Sequence, residues 1–145
     1  MKQKELANLL KIMIIGVAIC GGCVYGLVIP PLGIGMMAAT ILTLVPCYVA
    51  LIYSWRIMSH IANDESFTME NAKLLAKISS LARIDSVFLF SWSLLFFTTK
   101  LTNLQILVSS LLIAFLGIVV AAIFAALSHL VLRAADLQDQ YDLTI

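Results

Sequence analysis

Four apolar blocks, each at or near the length that crosses a bilayer, occupy most of this chain: Ile12 to Ile29, Met36 to Trp55, Ser86 to Thr99 and Ile106 to at least Leu132. Only the stretch from Ile61 to Asp85 breaks them with a long run of polar and charged residues. About 20 apolar residues in a helix rising 1.5 Å each span the ~30 Å hydrocarbon core. A soluble fold is excluded on supply of charge. The charged fraction is 12% and the hydrophobic fraction 62%, against roughly a quarter and a half in ordinary soluble domains. The expected fold is all-α, a single four-transmembrane-helix bundle with helices 3 and 4 extending into the cytoplasm.

The first block follows a basic start (Lys2, Lys4, Lys11), as a signal peptide would. It is longer than a signal core, and Pro30-Pro31 stands where a small-x-small cleavage site belongs, so it reads as a retained span. Pro30 to Gly35 forms the tight connection to the second block, in which Pro46 should kink the helix. Tyr53, Trp55 and Arg56 form an interfacial belt at its end. Thr68 or Ser66 caps the next helix, with Glu70 and Asn71 in its first turn. No proline or glycine follows until well past Thr99, so the polar segment 56–85 runs directly into the third span, 86–99. The fourth block is long enough to project into water as a tail, 133–145. Leu143 and Ile145 alternate around Thr144 there, a strand-like pattern.

Eight of the nine lysines and arginines lie on one side of this topology, Lys100 alone on the other. The positive-inside rule then makes both termini and the 56–85 segment cytoplasmic.

Phe67-Thr68-x-Glu70-Asn71, followed by Leu74 and Ile78, together with Asp136-Leu137-Gln138 and the ending Asp142-Leu143-Thr144-Ile145, resembles the two signatures of a small bacterial four-span membrane family catalogued as domain of unknown function 2975. The resemblance covers nearly the whole chain. It implies a multi-pass protein of the bacterial cytoplasmic (cell) membrane and carries over no active site. It also implies a genetic neighbour, because members are often encoded beside a very small helix-turn-helix regulator.

Each constellation has a bland reading beside its functional one. Cys20-Gly21-Gly22-Cys23 is a C-x-x-C within the first span, and Cys47 lies at similar depth. Vitamin K epoxide reductases use such a pair for thiol-disulfide chemistry. These spans, however, offer no nearby His, Lys or Arg to activate a thiol, so packing is favoured over redox. Ala18, Gly22 and Gly26 form a small-xxx-small face for another span or a second protomer of a homo-oligomer. Asp85 sits at the expected inner membrane edge, where it would pair with Arg56 or Arg83. Small multidrug exporters carry a carboxylate in their first span, and none lies between Ile12 and Ile29. His60 and His129 lack the further ligands a metal needs. No phosphate loop, Ser-His-Asp set or H-E-x-x-H is present. The expectation is no enzyme, no cofactor, no metal and no direct nucleic-acid contact.

The leading reading is therefore a cytoplasm-facing regulatory or docking subunit, with the bilayer and a small helix-turn-helix protein as partners. Its surface would comprise Phe67, Thr68, Glu70, Asn71, Leu74, Ile78 and Leu81 with Asp142, Leu143, Thr144 and Ile145. The same stripe could instead pack within the chain. The competing class, a membrane immunity or stress-protection protein or a small-molecule transporter, expects Cys20, Cys23, Pro46 and Tyr48 to line a polar cavity.

Overall fold

The computed structural model describes residues 2–28 and 33–144. The Pro30-Pro31 connection and Ile145 lie outside the described residues. Four helices follow one another: α1 (Gln3–Val28), α2 (Ile34–Ala62), α3 (Met69–Thr98) and α4 (Leu104–Thr144). All four are long and apolar enough to cross a membrane, and the chain reads as a multi-pass membrane protein. The helices pack in chain order, α1 on α2, α2 on α3 and α3 on α4. Helix α3 is thus the central element, flanked by α2 and α4, and those two make no close approach to each other among the described residues.

Local chemistry explains the helix limits. Gly33, at φ 96°, adopts the left-handed conformation that glycine tolerates and then caps α2. Pro46 lies inside α2 without ending it. That helix stops where Asp64 turns to φ 62°, with Asn63 N–H bonded back to the His60 carbonyl and Asp64 N–H to that of Ile61. Thr68 caps α3, its hydroxyl accepting from Asn71 N–H. Asn103 does the same for α4, accepting from Ile106 N–H at 3.0 Å.

The strand-like tail is not observed. Helix α4 continues unbroken through Thr144. An alternation of only three residues cannot compete with a helix already nucleated, since each added residue gains a hydrogen bond at small entropic cost. No glycine or proline after Gly117 stops it.

Two cation–π contacts mark one level of the assembly. Lys11 Nζ lies 5.2 Å from the Trp55 ring centroid, and Lys77 Nζ lies 5.5 Å from that of Tyr53. Basic groups on aromatic faces are what an interface selects. Toward the termini from this belt, packing uses large side chains: Ile57, Leu74, Leu75 and Ile78 form the buried cluster, covered by Tyr53, Met58, Ile61, Phe124 and Val131. The α3–α4 seam, by contrast, is built of small residues along its length, on both sides of the belt. Ala72, Ser79, Ser86 and Ser93 recur every seventh position on α3, and Leu107, Ala114, Ala121, Ser128 and Ala135 do so on α4. Ser79 Oγ donates to Ala121 O at 2.7 Å, and Ser128 Oγ to Ala72 O at 2.7 Å. Each kind of packing suits a different solvent. Water drives large apolar side chains together; lipid does not, and there helices associate through close packing of small residues and interhelical hydrogen bonds.

Candidate functional site

Two regions hold the residues that the sequence singles out. The first is the α2–α3 turn at the face carrying both chain termini. Asn71 is its anchor and is almost wholly buried, at 1% exposure. Its side-chain amide donates to Glu65 O (2.9 Å) and Ser66 O (3.0 Å), which fixes Oδ1 as the acceptor. His60 Nδ1, at 2.6 Å from that oxygen, must then carry the proton. Glu70 stands in the first turn of α3, beside the positive end of the helix dipole. The Phe67-Thr68-x-Glu70-Asn71 signature is therefore the chemistry of a tight turn: cap, dipole partner and anchor.

This placement changes the expected docking surface. Leu74 and Ile78 are buried between α2 and α4, so the α3 stripe faces its own chain. Leu81 is half-buried and lines a cavity between the helices. Phe67 stays exposed, as do Asp142, Leu143 and Thr144. The register set by Ser79–Ala121 and Ala72–Ser128 brings the start of α3 level with residues near Val131. From Arg133 onward α4 therefore outruns α3 by about 18 Å at 1.5 Å per residue. The seven-residue stripe that meets α3 at Ala121 and Ser128 continues through buried Ala135 to Asp142, where α3 has ended. Asp136, Asp139 and Asp142 share one side of this overhang. Exposed Leu137 and Tyr141, four residues apart, form the other. The result is an acidic ledge above the turn.

The second region is the wedge between α2 and α4, floored by α3. A cavity of about 210 Å³ lies there, lined by Pro46, Cys47, Leu81, Asp85, Ser86 and Gly117 among others. Cys47 Sγ–H donates to Asp85 Oδ2 at 3.4 Å. Asp85 Oδ1 is buried and has no hydrogen-bond partner among the described residues. An ion pair with Arg56 or Arg83 is not formed, for geometric reasons. Arg56 is nine residues further along α2 than Cys47, about 13 Å. Arg83, two residues before Asp85, leaves α3 on a different face. Asp85 lies eight residues past Lys77 toward the opposite face, about 12 Å inside the belt by helical rise.

The expected cavity lining needs correcting as well. Pro46 contributes, but Tyr48 turns toward α1 and donates to Ala18 O at 2.9 Å, beside Gly22, where an added Cβ would come within 3.2 Å of the Tyr48 hydroxyl. So Ala18 and Gly22 meet α2, whereas a Cβ at Gly26 would meet open space. Cys20 and Cys23 are free and exposed outside the cavity. An electropositive neighbour favours the thiolate; the neighbour of Cys47 is a carboxyl group.

Sequence reasoning missed the meeting of Asp85 with Cys47. The only available signal was the equal distance of the two residues from the α2–α3 turn. A family model described as Protein of unknown function (DUF2975) matches residues 3–145. No curated protein and no solved structure matches the chain.

Proposed function

The chain belongs to the DUF2975 family of proteins of unknown function, and from that premise we propose that it is a non-enzymatic docking subunit of the bacterial cell membrane, both termini cytoplasmic, that holds a small basic regulatory protein of the helix-turn-helix kind. The observation that carries this reading is the overhang of α4. A helix that runs on past its packing partner to Thr144, with Leu137 and Tyr141 uncovered, gains nothing from its own fold for that exposure. The segment 133–144 carries three aspartates against one arginine. An acidic helix is repelled by an anionic inner leaflet, so it stands off the membrane. It is complementary to the positive face with which a DNA-binding protein meets phosphates.

The docking surface is then the ledge: Phe67 on the turn, with Asp136, Leu137, Asp139, Tyr141 and Asp142 on α4. Asn71, Leu74 and Ile78 hold it from beneath. Because the partner's DNA face is the one engaged, docking and DNA binding exclude each other, and sequestration follows without any chemistry.

The test uses the full chain in lipid nanodiscs and a purified small helix-turn-helix protein of the kind the family resemblance implies as a genetic neighbour. Changing Asp136, Asp139 and Asp142 together to lysine is expected to weaken binding at least tenfold, and raised salt should weaken wild-type binding in the same direction. Equal affinity for wild type and the triple variant would remove the proposal.

A further inference from the structure

The wedge between α2 and α4 holds both of the buried side-chain oxygens that lack a hydrogen-bond partner among the described residues, Asp85 Oδ1 and Thr102 Oγ1. Asp85 lines the cavity of about 210 Å³. Thr102 lines a second, of about 120 Å³, nearer the face opposite the termini, and Leu89 belongs to both. The second also carries Thr40, Thr43, Ser93 and Ser110. The two cavities adjoin at Leu89 within the groove between these helices, the outer one lined by hydroxyls and the inner one carrying the carboxyl. A buried polar atom without a partner is costly, and most are satisfied by protein, water or ligand. Two such atoms in one groove point to an occupant.

The walls select among ligands. An anion is refused by Asp85. A hard divalent cation needs about six oxygen ligands. Near Asp85 the wedge offers little besides the carboxyl group, since Ser86 Oγ is engaged with Ala82 O at 2.7 Å. A lipid tail would fill the space and leave Oδ1 bare. An ammonium brings three donors and a charge that an apolar site rewards only when paired. The remaining walls near Asp85, among them Leu81, Leu89, Ile113 and Val120, suit a compact hydrocarbon body. The inner cavity is smaller than the ~300 Å³ at which drug-sized pockets begin. We propose that this wedge is a binding site for a small lipophilic amine, its ammonium seated on Asp85 and its apolar part against α3 and α4. The site is independent of the α4 ledge and stands whether or not a regulatory protein docks there.

Trp92 lines the outer cavity and reports occupancy. Full-length Trp55→Phe protein in zwitterionic phosphatidylcholine nanodiscs, which do not concentrate cations at their surface, is titrated with 1-aminoadamantane and separately with 1-adamantanol. The two probes share shape and differ in charge. The amine is expected to give a saturable shift in Trp92 emission, and the alcohol a linear partitioning response. Asp85→Asn should raise the half-saturating amine concentration at least tenfold, whereas Asp85→Glu, which keeps the charge, should stay within about threefold of the parent. Retained helicity in Asp85→Asn separates lost binding from lost fold. Equal responses to amine and alcohol, or saturable amine binding undiminished in Asp85→Asn, would overturn the assignment.

Discussion

Asn71→Ala is expected to lower the thermal midpoint of the protein in detergent by roughly 6–12 °C. The substitution removes three side-chain hydrogen bonds, to His60, Glu65 and Ser66, each worth about 1 kcal/mol net. A loss near 3 kcal/mol in a chain of this size shifts the midpoint by about 2–4 °C per kcal/mol. The partners gain no replacement, because Asn71 is buried and water cannot reach the vacated positions freely. Asn71→Asp discriminates the cause. Aspartate has nearly the same volume but presents an acceptor where two carbonyls need donors, so it should be at least as damaging as alanine. A stable aspartate variant would show that shape, and not the amide, fixes the turn. Either outcome bears on docking, since the ledge rests on this turn: loosening residues 63–68 should speed proteolysis there and weaken partner binding even though Asn71 itself is never exposed.

How much of this could be read from the chain depends on which distances the sequence encodes. Helix existence was legible, because block length and apolar content are local properties. So was the continuity of α3, since nothing between Met69 and Thr98 can break a helix, and so was the Thr68 cap. What escaped were relations between helices. Leu74 and Ile78 read equally as a docking stripe or as a face packed within the chain, because periodicity shows that a face exists but not what covers it; α2 and α4 cover it from both sides. Asp85 read as a partner for Arg56 or Arg83 because its neighbour is set by where α3 stands against α2, and the His60–Asn71 and Cys47–Asp85 contacts fix that level. The seven-residue recurrence of Ala and Ser on α3 and α4 was present in the letters. A hydropathy scan is blind to it, because small residues score neither strongly apolar nor polar. The tail misled through three terminal residues whose alternation outweighed the helix behind them.

That seam of small residues carries the second large effect. Gly117 lies where a Cβ would stand 2.2 Å from Ser86 Oγ and 3.4 Å from Ser86 Cβ. Alanine there should favour the helix by up to about 1 kcal/mol through propensity alone. The overlap opposes this, and overpacking a close seam costs about 1–3 kcal/mol, so the single variant Gly117→Ala is expected to be less stable than wild type. Ser86→Ala by itself should be nearly neutral, because its hydroxyl bonds only back to Ala82 O within its own helix. The double variant removes the overlapping oxygen and leaves the Cβ–Cβ approach at an ordinary distance, so the propensity gain emerges and stability returns to or above that of wild type. The cycle should report a coupling energy of about 1–2 kcal/mol between residues 31 positions apart in sequence. Additive effects, or a stabilised Gly117→Ala, would mean that α3 and α4 do not approach closely enough here for one oxygen atom to set their separation. The same pair lines the wedge beside Asp85. A seam forced apart at Gly117 should therefore also alter amine binding, whereas the compensated double variant should leave it close to the parent.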